Sequence, residues 1–367
     1  MEKLKINPEV ENLSEKERQE RVEFFLREEI GQTFDDRNYD VQEALKDKPE
    51  LYERMKNDWI EAQLEIYHET EDLNFVTELA RQETKEAKIN RVTGLENRAG
   101  LYQALNFHFK KIFSEDVLRD REKFIQAVQE KDFSKEELKV LSLDVSFLSL
   151  ANEVGGHEKG DDLLREMASK IKNEGEKAVH LGGDELAVVY NQKLVEESIN
   201  KINNGVASLE IDYLKNLGLE PHLDMGLAGL SEAVDIFNDL ISELNKTPEG
   251  REAIRTFNPV KGLGNIMTTL ADKRAFLEKG LVRIPLLVDI KNSSQENYDK
   301  IIGSLRKGGY SATDKELDEL SQVESGEREE AIKNFIIRKE EEKLGEIVNE
   351  FDGLRAELIL KKALEKF

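Results

Sequence analysis

The chain has 367 residues, and its 54 Lys and Arg against 77 Asp and Glu give a formal net charge of −23. This acidic balance argues against general binding to nucleic acid or to an anionic membrane, because both need a basic surface. The absence of cysteine excludes disulfides, thiolate zinc sites and cysteine nucleophiles. At about 150 residues per domain, the length predicts two or three folding units.

Membrane and export signals are missing from the sequence pattern. No apolar run approaches the roughly 20 residues that a transmembrane helix needs. The apolar stretch at 284–290 contains Pro285 and Asp289, and we interpret it as a buried strand or a linker. The first residues lack the apolar core of a signal peptide. We therefore expect a cytoplasmic protein with neither a membrane nor a nucleic-acid partner.

Residues 1–88 are charged and have helical periodicity. Ser14 followed by Glu17 forms a capping box, and the apolar stripe behind it consists of Val22, Phe25 and Leu26. A longer helical pattern begins near residue 40, and its apolar positions are Leu45, Leu51, Met55, Trp59, Leu64 and Leu79. We interpret Trp59 and its neighbours as helix-packing core rather than as a ligand site.

The middle of the chain, residues 89–290, alternates between helical and β-rich patterns. The predicted helices lie at about 99–130, 160–172 and 231–246, and the last precedes a predicted loop with Pro248 and Pro259. The predicted strands are KVLSLDV at 139–145, a hairpin around a Gly-Gly-Asp turn at 178–190, and LDMGLAG at 223–229. This alternation favours an α/β fold in which helices pack on a sheet.

The last zone, residues 291–367, is helical again. Ser325 and Gly326 separate two segments. Apolar residues then recur at spacings of three and four, at Leu344, Ile347, Phe351, Leu354 and Leu358. Because this heptad pattern is short, we expect it to pack on the protein's own body rather than in a coiled coil.

Three carboxylates mark a candidate site in the middle zone. Asp144 ends one predicted strand, and Asp184 and Glu185 lie in the hairpin turn, so neighbouring strands would bring them together. Oxygen ligands without histidine or cysteine suit Mg²⁺, or Mn²⁺ in its place. Gly182 and Gly183 lack Cβ atoms and would let a nucleotide approach the backbone. Taken alone, however, a Gly-Gly-Asp turn needs only hairpin chemistry.

The stretch DVSFLSLANEVGGHEKGDDLL at 144–164, followed by GGDEL at 182–186, makes the pattern more specific. Together they resemble the GGDEF family of diguanylate cyclases. The matching positions, in the family's order, are Asp144, Asn152, Gly156 with His157, Gly160 with Asp161, and Gly182 to Glu185. VTGLENR at 92–98 and ADKRAFLEK at 271–279 resemble the family's first and last motifs. The resemblance covers about residues 90–285.

The resemblance implies a palm-like central sheet covered by helices in residues 89–290, with an insertion at about 230–265. The regions 1–88 and 291–367 would be helical flanks that set dimerisation or bind a regulatory protein. The implied reaction converts two GTP into cyclic di-GMP and two pyrophosphates with Mg²⁺. Each protomer would hold one GTP, and a homodimer would be needed because each 3′-hydroxyl attacks the other nucleotide's α-phosphorus.

Residue roles follow from the same resemblance. Asp144, Asp184 and Glu185 would hold the metal ions, and Asp184 and Glu185 would be catalytic, with Asp184 helping to deprotonate the 3′-hydroxyl. Asn152 and Asp161 would bind the guanine edge. The other implied substrate contacts are the glycines Gly182 and Gly183, the backbone N–H groups around Phe147 and Leu148, and the phosphate-neutralising cations Lys279 and Arg283.

Each of these residues also has a plainer interpretation. Asp161 could cap a helix, Asn152 could be a turn residue, and Lys279 could be a solvated helix lysine. The sequence also departs from the family at several positions. Ser149 stands where a lysine is usual and removes a phosphate-side cation, and His180 replaces an arginine, which would weaken phosphate or dimer contacts. The milder departures are Leu148, Glu153 and Leu186.

The product-inhibition motif Arg-x-x-Asp is absent, since Asn173 and Glu176 fall at its positions. We therefore predict no inhibition through that site. Three alternatives to the cyclase stand beside it: a catalytically inactive GGDEF-like module that binds GTP and signals, a palm-like nucleotidyl transferase with another product, and a purely structural helical scaffold.

Overall fold

The computed structural model describes residues 48–70, 89–191, 195–216, 218–256, 258–293, 312–324, 326–345 and 350–367, with the single residues 27, 34 and 347. Backbone contacts divide the chain into two compact units, Met1–Asn90 and Arg91–Phe367. Within the described ranges, every helix is too short or too polar to cross a membrane.

The first unit contains helix α1 (Pro49–Thr70). Among the side chains of this helix that the structure describes, the buried ones are Tyr52, Ile60 and Leu64. Trp59 packs against Phe34 with ring centroids 5.4 Å apart, which agrees with the helix-packing interpretation. Leu51 and Met55 are exposed, so the prediction that they belong to this core is wrong. The capping box at Ser14, the stripe behind it, Leu45 and Leu79 lie outside the described residues.

A four-stranded antiparallel sheet lies at the centre of the second unit. Its strands are β1 (Leu138–Val145), β2 (Lys177–Gly182), β3 (Glu185–Asn191) and β4 (Leu223–Gly229). They are ordered β2-β3-β1-β4. The predicted hairpin and both other predicted strands are confirmed, because alternating apolar residues and a Gly-Gly turn are local signals.

Three helices precede the sheet where the sequence predicted one helical stretch. They are α2 (Arg98–Ile112), α3 (Glu115–Arg119) and α4 (Arg121–Glu130). Ser114 and Asp120 occupy the N-cap positions of α3 and α4, and the Asp120 side chain accepts a hydrogen bond from the Lys123 N–H. Such residues start a new helix and thereby interrupt the old one.

Helix α5 (Leu148–Ile171) begins well before the predicted start at Gly160. Gly156 interrupts it with φ 75° and ψ 173°, a conformation that glycine adopts at low cost. The polar stretch before Gly160 is therefore a first helical segment, joined to the second across a kink. The helices α6 (Val195–Ala207) and α7 (Asp212–Lys215) follow the hairpin.

The predicted insertion is occupied by α8 (Leu230–Leu244), α9 (Pro248–Thr256) and the start of α10 (Pro259–Ser293). Pro248 and Pro259 begin helices instead of lying in a loop, as proline often does at a first helical position. The prediction of a strand or linker at 284–290 is wrong, because that stretch belongs to α10. Its buried residues Ile284, Leu287 and Val288 follow the i, i+3, i+4 spacing of a helix.

The C-terminal helices are α11 (Asp314–Ser321), α12 (Arg328–Leu344) and α13 (Glu350–Leu364). Gly326 lies in the break between the first two, as expected, while Ser325 lies outside the described residues. The heptad pattern is interrupted between α12 and α13, and Leu354 and Leu358 pack against the protein's own core. Arg274 of α10 donates to Glu232 Oε1 at 2.8 Å and to the Lys362 carbonyl at 3.2 Å, which fastens α13 to α8 and α10.

The sheet separates two apolar layers. One face packs against α2, α4, α8, α10 and the C-terminal helices, and the other packs against α5 and α6. Adjacent strand residues alternate between these layers, as Val140 and Leu141 do on β1. The predicted α/β fold with helices on a central sheet is confirmed.

Candidate active site

A row of carboxylates crosses one end of the sheet. In the β-ladders, Asp144 on β1 lies opposite Glu185 on β3 and opposite Asp224 on β4. Directly paired residues of neighbouring strands project on the same face, so these three side chains point toward the α10 layer. Asp184 precedes Glu185 in the hairpin turn, and its carbonyl accepts a hydrogen bond from the Val145 N–H at 2.8 Å.

A cavity of about 460 Å³ opens at this end of the sheet. The sequence-predicted site residues that line it are Asp144, Leu148, Asn152, Gly183, Asp184, Glu185 and Lys279. Those that do not line it are Phe147, Asp161, Gly182 and Arg283. Its volume lies in the range typical of small-molecule sites.

Lys279 of α10 reaches into the carboxylates from a buried position. Its Nζ donates to Asp144 Oδ2 at 2.6 Å and lies 3.7 Å from Asp184 Oδ2. With only 3% of its surface exposed, Lys279 is not the solvated helix lysine of the plainer interpretation. Burial raises the pKa of Asp144 to about 6, and Asp184 adds to this rise while Lys279 opposes it.

Arg283 lies one helical turn beyond Lys279 and is equally buried. Its Nη2 is 3.8 Å from Asp144 Oδ1. Burial lowers the pKa of Arg283, whereas the nearby charge of Asp224 works in the opposite direction. Arg283 therefore lies near Asp144 but does not line the cavity.

Two further carboxylates were missed by the sequence reasoning. Asp272 lines the cavity from α10, and burial raises its pKa. Burial also raises the pKa of Glu185, and Asp272 contributes to that rise. Asp272 and Lys279 are seven residues apart and therefore lie on the same face of α10. This spacing within the motif at 271–279 would have predicted that Asp272 faces the site together with Lys279.

Asp224 is the second missed carboxylate, and it is fully buried. Ser146 Oγ donates to its Oδ2 at 2.6 Å, and His222 Nε2 lies 3.3 Å from its Oδ1. The Asp224 carboxylate beside it raises the pKa of His222, against the effect of burial. The sequence signal for Asp224 was its place at a core-facing position of a predicted strand. A buried charge at such a position is stable only with partner groups around it.

On α5, Asn152 needs the glycine at position 160. A Cβ on residue 160 would lie 2.0 Å from Asn152 Oδ1, so Gly160 leaves the room that this side chain occupies. Asp161 lies inside α5 and does not cap its start, and Asn152 is helical rather than a turn residue. Phe147 precedes α5 with a left-handed φ of 67°, an unusual conformation for a residue with a side chain.

His180 is buried and braces the hairpin turn. Its Nε2 lies 3.0 Å from the Gly183 carbonyl oxygen, and its Nδ1 lies 3.4 Å from Thr93 Oγ1. Gly182 and Gly183 both have positive φ, at 145° and 53°. His180 therefore contacts the turn itself.

The carboxylates fit a divalent ion in their chemistry. Asp144 Oδ1 is buried and accepts no hydrogen bond from the described residues. Asp184 and Glu185 add further hard oxygen ligands of the kind that Mg²⁺ prefers. Among the described residues, however, no three His, Asp or Glu side chains are already grouped as a metal site. Lys279 holds the second oxygen of Asp144.

Residues 120–247 match the family model described as "Diguanylate cyclase, GGDEF domain". This segment includes Asp144, Asn152, Asp161 and the hairpin turn, whereas Lys279 and Arg283 lie beyond it. No curated protein sequence matches the chain.

Solved structures of GGDEF proteins are similar to parts of the chain. A sensory box/GGDEF family protein from Caulobacter crescentus CB15 is 23% identical, with coverage of 38% of this chain and 82% of that one and a TM-score of 0.27. The coiled coil and GGDEF domain of DgcB from Caulobacter crescentus, in complex with c-di-GMP, is 19% identical. The match covers 46% of this chain and 82% of that one, with a TM-score of 0.32. Diguanylate cyclase SiaD from Pseudomonas aeruginosa, in complex with its activator SiaC, is 17% identical. The match covers 52% of this chain and 72% of that one, with a TM-score of 0.27.

The ordered motifs span about residues 90–285, and the family match lies within that range. The chain therefore contains a GGDEF domain at residues 120–247.

Proposed function

We propose that this protein is a diguanylate cyclase, which joins two GTP molecules into cyclic di-GMP and releases two pyrophosphates. One observation carries the proposal. Asp144, Asp184 and Glu185 line a single cavity with Lys279, and the three carboxylates belong to a segment that matches the GGDEF family. Carboxylates facing a buried cation at a cavity of this size suit a metal–triphosphate substrate.

Asp144, Asp184 and Glu185 would hold Mg²⁺, or Mn²⁺ in its place. When bound, such an ion neutralises the phosphates and lowers the pKa of the attacking hydroxyl. Asp184 lies in the turn, at the open end of the carboxylate row, and we assign it the task of accepting the proton of the ribose 3′-hydroxyl. Glu185 lies beside it, and its Oε2 is 3.6 Å from Arg98 Nη2.

Phosphate binding falls to the start of α5 and to Lys279. The first N–H groups of a helix lack intrahelical partners and attract anions. We therefore assign the N–H groups around Phe147 and Leu148 to the phosphates. Lys279 can turn from Asp184 toward the triphosphate, whereas Arg283, which lies outside the cavity lining, is better suited to holding Asp144 in place.

Guanine recognition would fall to Asn152 and Asp161. Asn152 lines the cavity from α5, and Asp161 lies on the same helix beyond the kink. A carboxylate that accepts from the guanine ring N–H and amino group selects strongly against adenine, since adenine would leave it unpaired. Gly182 and Gly183 would let the ribose approach the turn closely.

The reaction requires two copies of the chain. One cavity accommodates one nucleotide, and the 3′-hydroxyl of each GTP must attack the α-phosphorus of the other in line with the leaving pyrophosphate. A two-fold homodimer that brings two cavities face to face satisfies this requirement.

The test is to incubate the purified chain with GTP and Mg²⁺ and to identify the products by mass spectrometry. Wild-type protein should form cyclic di-GMP, and Asp184→Ala should form none while melting at the same temperature. Asp239→Ala, at an exposed position on α8, is the matched control and should keep full activity. Product formation by Asp184→Ala would contradict the role of Asp184.

A second candidate is a GTP-binding signalling module that does not condense its nucleotide. Ser149 favours it, because this uncharged residue lines the cavity where the family usually has a lysine. Such a module would bind GTP with Mg²⁺ in a titration and release no pyrophosphate, even at protein concentrations that force dimers. Parallel reactions with ATP and with mixed nucleotides test for a palm-like enzyme with another product.

A further inference from the structure

The cavity has a wall that comes from outside the GGDEF segment. Lys343, near the end of α12, lines it together with Phe276 of α10. Both residues lie beyond the matched residues 120–247, and α12 belongs to the C-terminal zone for which the sequence suggested no role in the site.

Lys343 contacts Glu340 and Phe276 at the rim of the cavity. Its Nζ lies 2.9 Å from Glu340 Oε1 and 4.4 Å from the centre of the Phe276 ring. Glu340 is buried and also accepts a hydrogen bond from Lys273 Nζ at 2.5 Å, so it is tied to α10. About half of the Lys343 side chain, 52%, is exposed, and the residue lines the cavity.

The charges of the cavity show what this ammonium group could meet. Four carboxylates line it, from Asp144, Asp184, Glu185 and Asp272, and the cations in its described lining are Lys279 and Lys343. Lys279 is engaged by Asp144. Lys343 is the more exposed of the two, and it lines the same cavity as the uncharged Ser149.

We propose that Lys343 binds the phosphates of the nucleotide, and that α12 thereby supplies the cation that Ser149 does not. This inference rests on the proposed function, since it assigns a further contact to the same substrate. A lysine ammonium bound to phosphate forms a charge-assisted hydrogen bond, and its strength grows with the charge of the phosphate chain. Binding of GTP would then also hold α12 against α10.

The experiment measures the dissociation constants of 3′-deoxy-GTP, GDP and GMP in Mg²⁺ by calorimetry. The 3′-deoxy nucleotide keeps the triphosphate but lacks the attacking hydroxyl, so turnover does not disturb the titration. Lys343→Met keeps the apolar stem over Phe276 and removes the charge. It should weaken the binding of 3′-deoxy-GTP about tenfold, which equals about 1.4 kcal/mol, and the binding of GMP by much less. Lys343→Arg should restore most of the loss.

The matched control is Lys333→Met, nearly three turns earlier on α12, where the lysine pairs with Glu329 away from the cavity. It should bind all three nucleotides like the wild type. A loss in Lys343→Met that is equal for the three nucleotides would assign Lys343 to structure or to the nucleoside and overturn the inference. Unchanged binding would overturn it as well, while leaving the proposed function intact. Failure of the wild-type chain to bind 3′-deoxy-GTP would overturn both.

Discussion

Asp224 on β4 lies directly opposite Asp144 on β1, so a fully buried carboxylate stands next to the carboxylate that faces the cavity. Asp224 is held by Ser146 Oγ on one oxygen and lies beside His222 on the other. Its charge also acts on Arg283, which reaches toward Asp144. Asp224 therefore lies between Asp144, which lines the cavity, and His222 just before β4.

Replacing Asp224 with asparagine should lower the pKa of His222. The adjacent Asp224 carboxylate is the main cause of the raised pKa of His222, and asparagine keeps the shape while removing the charge. The measurement is an NMR titration of the His222 ring. Asp239→Asn, an exposed change on α8, should leave that titration as in the wild type. A His222 pKa that is identical in Asp224→Asn and wild type would contradict the assignment.

Nucleotide binding should depend on pH through Asp144. Burial raises the pKa of Asp144 to about 6, so its carboxyl is protonated below that pH and ionised above it. Because only the ionised form binds a metal ion, Mg²⁺-dependent binding of 3′-deoxy-GTP should strengthen as the pH rises from about 5 to about 7. Lys279→Met removes the cation that opposes this shift, so the midpoint should move to higher pH.

Lys279→Arg is the control for that titration, because it keeps the positive charge beside Asp144. It should retain a midpoint near that of the wild type, even where its longer head group weakens binding. A midpoint that is the same in Lys279→Met and in the wild type would show that Lys279 does not set the ionisation of Asp144.

The strands and the three predicted metal ligands followed from local sequence signals. Alternating apolar residues and a Gly-Gly turn fix a hairpin within a dozen residues. Once that hairpin pairs with β1, the register places Glu185 beside Asp144. The turn aspartate Asp184 then lies at the same edge. The positions of these three carboxylates could therefore be predicted from sequence patterns within single strands and the hairpin turn.

The rest depends on contacts between distant segments. Asp272 reaches the cavity because α10 packs on β1 and β4, and Lys343 reaches it because α12 packs on α10 through Glu340 and Lys273. Helical periodicity shows which face of such a helix is buried, but it does not show what that face packs against. The apolar stretch at 284–290 was wrongly predicted as a strand or linker for a different reason, because Pro285 argues against a helix interior and a short apolar run does not distinguish a buried helix from a strand.

Gly226→Ala should destabilise the second unit. A Cβ at position 226 would lie 2.0 Å from the carbonyl oxygen of Ala271 and 2.3 Å from the backbone nitrogen of Ala275, so α10 would have to move away from β4. Overpacking of this kind costs about 1–3 kcal/mol, or more where backbone atoms block the space. The midpoint of denaturant unfolding should fall accordingly, and nucleotide binding should weaken because α10 carries Asp272 and Lys279.

Gly229→Ala, at the end of the same strand, is the matched control. A Cβ there would meet its nearest neighbour, Glu232 Oε2, at 3.6 Å, which is an ordinary contact. Its unfolding midpoint should stay near that of the wild type. Equal stability of the two variants would mean that β4 and α10 are not as closely packed as the described contacts require.

Cyclic di-GMP should not inhibit the protein through the position where related enzymes carry an Arg-x-x-Asp motif. Asn173 and Glu176 stand there instead, and both are exposed. Glu176 Oε2 lies 2.7 Å from Nε2 of the buried His108. Asn173 stands at the arginine position of the motif and is uncharged, so it offers no cation to the phosphates of a cyclic dinucleotide.

The measurement is the initial rate of pyrophosphate release from GTP with added cyclic di-GMP, at nanomolar to micromolar concentrations. The rate should stay unchanged, and a direct titration should detect no cyclic dinucleotide bound near Glu176. Glu176→Arg together with Asn173→Arg is an informative variant, because it adds positive charge to the same surface and should create weak binding there. Inhibition of the wild type that disappears in Glu176→Ala would contradict the prediction, since it would place a product site on a surface that lacks every cation of the motif.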